Sequence, residues 1–284
     1  MTGTNRIYIG VDIGGTSIVA ARFSESGILD RHEVPTGSKR PAGEIMESLY
    51  EAIDRVITGE VAGIGIGMPG YMDTQTGEIL LINNIPSFNG FAVKPGVEKR
   101  YGLPVFQNND ASCFALGEAY FGAGKEFSHM VGITLGTGLG GGIIIDRKIH
   151  TGLIGGAGEL GCVPFREGIV EDYCSNSFFV SKYHKEGLDL YHLAKKGDRE
   201  ALAAFDELGT NIGELINLTI YILAPEAFVI GGSVAGAWEF LEGPIRKEVA
   251  RFPVALISKK IKIVRAQLDN AGLYGAAALC ISQM

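Results

Sequence analysis

Apolar and polar positions along the chain fall into short segments that switch between two periods. Residues 7–11 and 17–23 are apolar-rich runs of strand length parted by a tight Gly-Gly turn, which predicts a β-hairpin. Within 41–57, Ile45, Leu49, Ile53 and Val56 recur at helical spacing on one face. A buried strand over 61–67 is stopped by Pro69-Gly70. Further strand-like runs follow at 78–82 and 103–106, and 111–121 reads as a helix. A strand is expected at 130–134, a glycine-rich turn over 136–142, and a returning strand at 143–146. Asp198 is a plausible N-cap for a long amphipathic helix ending near Leu223. Strands at 227–230 and 260–264 and an Ala-rich closing helix at 272–281 complete an α/β pattern.

No Pro/Ser linker or charge run divides the chain, so any division rests on repetition. Val11-Asp12-Ile13-Gly14-Gly15-Thr16 and Ile133-Thr134-Leu135-Gly136-Thr137-Gly138 share one design. Each has a hydrophobic strand, a polar residue near its end, a glycine turn with a Thr, and a returning strand. One such hairpin in each half implies two related domains facing across a cleft. The expected units are 1–108 and 109–271, with the helix at 272–284 rejoining the first.

Composition narrows the function classes. The 284 residues suit two modest domains, and 46% hydrophobic with 20% charged residues is an ordinary soluble mixture. A net charge of −7 argues against nucleic acid or an anionic membrane as partner. No run of about 18 apolar residues is present and no leader peptide is visible, so a cytoplasmic protein is expected. Cys113, Cys162, Cys174 and Cys280 lie far apart without a CxxC pair and read as reduced thiols. The five histidines show no ligand spacing.

The 41 glycines are about twice average usage, and their clusters carry the chemistry. Backbone N–H groups of a glycine turn form anion-binding nests, so two facing turns suit a nucleotide's phosphates. Neither turn is a Walker A loop, and Gly63, Gly65, Gly67 and Gly70 are no dinucleotide fingerprint, because Pro69 ends the strand and no helical pattern follows. Asp12 fits either a water-mediated Mg²⁺ site or a turn cap. Asp110, after Gln107-Asn108-Asn109, fits either a general base or a helix N-cap. Asn84 and Glu159 sit in polar or glycine-rich loops, and Glu171 and Asp172 open a helix where acidic residues favour the dipole.

These motifs together resemble the ROK family (repressors, open reading frames, kinases) of the actin-like ATPase superfamily, nearly end to end. Asp12-Ile13-Gly14-Gly15-Thr16 and Leu135-Gly136-Thr137-Gly138-Leu139-Gly140 resemble its two phosphate motifs, and Val229-Ile230-Gly231-Gly232-Ser233 its adenosine motif. Asn84-Ile85-Pro86, Asn109-Asp110-Ala111, Gly158-Glu159-Leu160-Gly161 and Glu171-Asp172-Tyr173-Cys174-Ser175 resemble its sugar-facing stretches. The resemblance implies two ribonuclease H-like (actin-like ATPase) domains across a cleft, and ATP-dependent phosphorylation of a hexose, first the 6-hydroxyl of glucose. An N-acetylhexosamine such as N-acetylmannosamine or N-acetylglucosamine is the rival acceptor. A sugar sensor without catalysis ranks lower, as does a repressor, which needs a helix-turn-helix ahead of Asp12.

By the same resemblance, Asp110 is the base, and Asn84, Asn109, Glu159 and Glu171 bind the sugar. Asp12 positions Mg²⁺, and Gly14, Gly15, Thr16, Gly136, Thr137 and Gly138 contact phosphates. Gly231 and Gly232 lie near adenosine, and a homodimer is expected. One departure stands out. Where the family usually has a His that helps hold the sugar-facing Glu and touches the sugar, this chain has Cys162, and the cysteine triplet of the zinc loop is missing. No structural zinc is therefore expected, because Cys162 and Cys174 cannot complete a four-ligand site.

Overall fold

In the computed structural model, which describes residues 6–24 and 26–284, the N-terminal hairpin has a third strand. β1 (Ile7–Ile13), β2 (Ser17–Ser24) and β3 (Gly27–Pro35) form an antiparallel meander. Then come α1 (Ala42–Asp54), β4 (Val61–Met68), a small antiparallel pair of β5 (Tyr71–Met72) and β6 (Ile79–Leu81), α2 (Val93–Tyr101) and β7 (Val105–Asn109). β4 and β7 join the meander in parallel, giving the order β3-β2-β1-β4-β7. The sequence conceals β3 because it is an exposed edge strand. It carries Asp30, Arg31 and Glu33 in place of an alternating apolar face. The run at 78–82 does form a strand, but in the small pair rather than the main sheet.

The second half repeats this plan. α3 (Asp110–Phe121) leads into β8 (Met130–Leu135), β9 (Leu139–Ile145) and β10 (Lys148–Ile149), again an antiparallel meander. A small pair, β11 (Pro164–Phe165) and β12 (Gly168–Ile169), precedes α4 (Val170–Cys174), α5 (Asn176–Tyr183), α6 (Gly187–Ala194) and α7 (Arg199–Leu223). β13 (Ala227–Gly231), α8 (Trp238–Val249), α9 (Ala255–Lys260), β14 (Lys262–Arg265) and α10 (Ala271–Gln283) follow. The sheet order β10-β9-β8-β13-β14 mirrors the first, with β13 and β14 parallel to β8. The glycine turn is shorter than its composition implies, and β9 begins at Leu139. Gly140 and Gly142 lie within β9, and they are glycines because side chains there would run into Ala111 and Ala115 of α3.

Asp198 caps α7, its carboxylate accepting from Ala201 N–H at 2.9 Å. α2, α5 and α9 carry too little periodicity to be read locally, while α8 buries Leu241, Ile245 and Val249 at helical spacing but is interrupted by Pro244. α2 buries only Val93 and Val97. α10 is apolar on most sides, as befits a helix packed against β1 and β4 on one flank and α3 on another. Glu118, fully buried near the end of α3, accepts from the backbone N–H groups of Ala123, Gln267 and Leu268. It thereby pins α3 to the β14–α10 connection. No helix among the described residues is long and apolar enough to cross a membrane.

Candidate active site

The two glycine turns are held from behind by the same device. In the first, Gly14 N–H donates to Ser17 O at 2.9 Å. Buried Thr36 donates its N–H to Thr16 O (3.0 Å) and its hydroxyl to Gly14 O (2.6 Å). In the second, Gly136 N–H donates to Gly138 O at 2.9 Å and Asn176 N–H to Gly136 O at 3.0 Å. The hydroxyls of Ser175 and Ser177 donate to Thr137 O at 3.0 and 2.8 Å. With those carbonyls withdrawn, the amides of Gly15, Thr16, Thr137 and Gly138 have no protein acceptor among the described residues. Free amides on a turn are what a phosphate requires. Thr36 and Ser177 carry no local signal for this role because each acts on a turn 20 or more residues away.

Two carboxylates come together at the start of α10. Asp12 ends β1, Asp110 opens α3, and Gly272 at the start of α10 adjoins both. A methyl at Gly272 would stand 3.8 Å from Asp12 Oδ2 and 3.9 Å from Asp110 O. The alternative role of Asp110 as a helix cap falls to its neighbour. Asn109 Oδ1 accepts from Ala111 N–H (2.8 Å) and Ser112 N–H (3.4 Å), and its Nδ2 donates to Gly70 O (3.2 Å). Asp110 takes the Ala111 N–H on Oδ1 alone. It is open to solvent but ringed by protein on the cleft floor. Desolvation raises its pKa, opposed by the amides of Ala111 and Asp110 itself.

Burial, followed by the charge of Asp110, lifts Asp12 from 3.8 to about 6. The unfolded chain therefore holds fewer protons than the folded one between about pH 4 and 6, and stability falls through that window. Above pH 6 the cost is constant at about 2–3 kcal/mol. Asp12→Asn is accordingly expected to raise Tm at pH 7.5, with the gain vanishing toward pH 4. Thermal melts at both pH values check this. Equal Tm values at pH 7.5 would show that Asp12 is not desolvated.

The remaining candidates divide by location. Glu159 is half-buried, and its pKa is raised by burial and then by the Asp110 charge, with the Tyr71 phenol opposing. Glu171 turns toward the second glycine turn, Oε2 accepting Leu139 N–H at 2.9 Å. The Glu171 carboxylate lies directly against Gly138, where a methyl would push it aside. The local helix-start duty is taken by Asp172, which accepts Ile169 N–H at 3.0 Å. Asn84 packs beside Gly15 at the first turn.

Gly231 is buried beneath the Phe114 ring, and Gly232 takes φ +85° against the Leu135 backbone. Beyond them lies a cavity of about 410 Å³. Thr137 of the second turn and Ser233 edge it, and Phe179, Leu188, Tyr191 and Phe205 form an apolar wall. An apolar slot opening onto a phosphate turn has the size and chemistry for a purine nucleoside. No motif marks these four apolar residues. They meet only where α5, α6 and α7 converge. Among the described residues no group of three or more His, Cys, Asp or Glu side chains is placed to hold a metal ion. A lone carboxylate beside a phosphate turn still fits Mg²⁺, which takes one or two carboxylates and completes its shell with phosphates and water.

Comparison with known proteins agrees with this fold. The family model described as "ROK family" matches residues 8–283. A glucokinase from Thermotoga maritima is 33% identical over 304 residues, covering 95% of this chain and 96% of that protein. An N-acetyl-D-glucosamine kinase from Haemophilus influenzae is 28% identical, covering 98% and 100%. The solved structure of a ROK family glucokinase from Streptomyces griseus in complex with glucose and AMPPNP is similar at a TM-score of 0.78 and 33% identity, covering 96% of this chain and 98% of that one. With its two actin-like α/β halves and paired glycine turns, the chain belongs to the ROK family.

Proposed function

We propose that this chain is an ATP-dependent hexose kinase that transfers the terminal phosphoryl group to the 6-hydroxyl of glucose, with Asp110 as general base. The observation that carries the reading is the pairing of two glycine turns, both with unpartnered amides, around a carboxylate relieved of its capping duty by Asn109. The glucokinase relatives and the glucose–AMPPNP complex support the same donor and acceptor.

In this reading the amides of Gly15, Thr16, Thr137 and Gly138 hold the phosphate chain, with Gly14 and Gly136 shaping the two turns. Gly232 and the cavity beyond it receive the nucleoside, and Gly231 packs beneath. Asn84, the remaining amide N–H of Asn109, Glu159 and Glu171 orient the ring hydroxyls. Asp12 would hold Mg²⁺, which would supply charge neutralisation as the terminal phosphoryl group leaves ADP. The free Oδ2 of Asp110 accepts the hydroxyl proton as the sugar oxygen attacks phosphorus. Closure of the two halves excludes water, so transfer to the sugar outruns hydrolysis.

Cys162 is exposed where the family's His would stand, so one sugar contact is changed and the rival acceptor class is the N-acetylhexosamines. The Haemophilus influenzae relative carries such an activity in its name. A coupled ADP-release assay with Mg-ATP over glucose, mannose, N-acetylglucosamine and N-acetylmannosamine separates the two. Strongest stimulation by glucose is expected. Preference for an acetamido sugar would reverse the order, and no stimulation by any sugar would end the kinase reading.

A further inference from the structure

Among the described residues, the cavity beyond the second glycine turn has a single charged residue in its wall, Glu186. It stands just ahead of α6, where an acidic side chain commonly turns back onto the first amides, yet it makes no cap hydrogen bond. Asn176 holds it elsewhere. Asn176 Nδ2 donates to Glu186 Oε2 at 2.6 Å, and Asn176 Oδ1 accepts from Gly187 N–H at 2.8 Å. The backbone N–H of the same asparagine closes the second phosphate turn on Gly136 O. The carboxylate is therefore tied to the phosphate turn at the reach of one side chain. Gly187 packs so tightly that a methyl there would stand 2.9 Å from Asn176 Oδ1 and 3.1 Å from the Phe179 ring, which leaves the arrangement little room to shift. Glu186 Oε1 has no protein partner among the described residues. Its charge is unpaired as well, since the adjacent Lys185 is engaged by Glu200 at 3.4 Å.

A lone anion beside a site built for phosphates opposes their binding by repulsion, so its presence there needs ligand donors to offset it. Between the phosphates of a nucleotide and its base, those donors are the ribose hydroxyls. We propose that Glu186 recognises the ribose diol of the nucleotide, accepting from the 2′- and 3′-hydroxyls, and so selects ribonucleotides as the phosphoryl donor. This inference rests on the reading of the cavity as the nucleoside site of an ATP-dependent kinase. Hydroxyl-to-carboxylate bonds of this kind are charge-assisted and short. The carboxylate is already fixed by Asn176, so it loses little side-chain freedom when the ligand arrives. Phe179, Leu188, Tyr191 and Phe205 give the rest of the wall the apolar character that suits a base.

The test is calorimetric titration of the wild type and Glu186→Ala with Mg-ADP and with Mg-2′,3′-dideoxy-ADP, which lacks both hydroxyls. Glu186 is exposed and caps nothing, so the variant should fold as the wild type does. The wild type is expected to bind dideoxy-ADP about 10- to 100-fold more weakly than ADP, the range for losing a hydrogen bond to a charged group. Glu186→Ala should bind ADP more weakly by a similar factor. It should bind dideoxy-ADP at least as tightly as the wild type does, because the uncompensated charge is gone. The KM for sugar should stay unchanged, a split that general loosening of the fold would not give. Equal affinity of the wild type for the two nucleotides, or an equal loss for both in Glu186→Ala, would overturn the proposal. A variant that alters the preference for ADP over GDP but not for ADP over dideoxy-ADP would move Glu186 to the base and overturn it too. The titration needs no sugar. Discrimination between ADP and dideoxy-ADP without sugar-stimulated turnover rejects the hexose kinase reading and upholds ribose recognition, whereas no binding of ADP rejects both.

Discussion

Asp110→Asn is expected to lower kcat by about 10²- to 10⁴-fold while sugar affinity changes by no more than a few fold. The substitution keeps size and shape and removes only the proton acceptor. The start of α3 should survive, because Asn109 supplies the cap through Ala111 and Ser112. Stability should not fall either. The charge of Asp110 is the second cause lifting the pKa of Asp12, so removing it relieves a repulsion in the cleft. Initial-rate kinetics together with calorimetric titration of glucose separate chemistry from binding. Unchanged kcat would remove Asp110 from the base role. Asn109→Ala provides the contrast, with a loss of about 0.5–2 kcal/mol of stability from the missing cap.

Gly275→Ala should be among the most destabilising single-methyl changes in the protein. α10 crosses α3 with Gly275 pressed against the backbone of Cys113, and a methyl there would occupy the position of the Cys113 carbonyl. Gly117 meets Ala271 O in the same way one turn along the contact. Backbone cannot rotate aside as a flexible side chain can, so the helices must separate. Overpacking of this kind costs about 3 kcal/mol or more, at the upper end of its range. The expected fall in Tm is about 6–12 °C for a chain of this size. Because α3 begins with Asp110 and α10 begins beside Asp12, the separation also displaces the two carboxylates. A shift of about 1 Å is enough to cost roughly 10²-fold in activity. Gly43→Ala is the control, since its added methyl meets nothing within 4 Å on α1. It should be neutral or slightly stabilising, and equal Tm values for the two variants would refute the packing argument.

Much of the site is legible locally because its chemistry is short-range. The two glycine turns declare themselves by residue type, and the Asn-Asp pair before an apolar helix marks a helix start with a spare carboxylate. The choice between the two is not local. Asn109 becomes the cap because β7 delivers it beside Gly70, where its Nδ2 is also engaged, and Asp110 is left facing the cleft. Glu171 and Asp172 divide in the same manner: Asp172 bonds within its own turn, and Glu171 reaches Leu139 across 32 residues.

Sequence alone determined the α/β class, the duplicated strand–turn–strand units and the residue types gathered at the cleft, since each depends on neighbours within a turn or a strand. Tertiary structure decided what depends on distant partners. β3 is a strand only because β2 offers it an edge, and β9 keeps its glycines because α3 lies on them. The apolar cavity beside the second glycine turn arises where three helices converge. Glu118 bonds to Leu268 across 150 residues, a contact that no local periodicity encodes. Residue type determines which bonds a side chain is able to make, and packing determines which of them it makes.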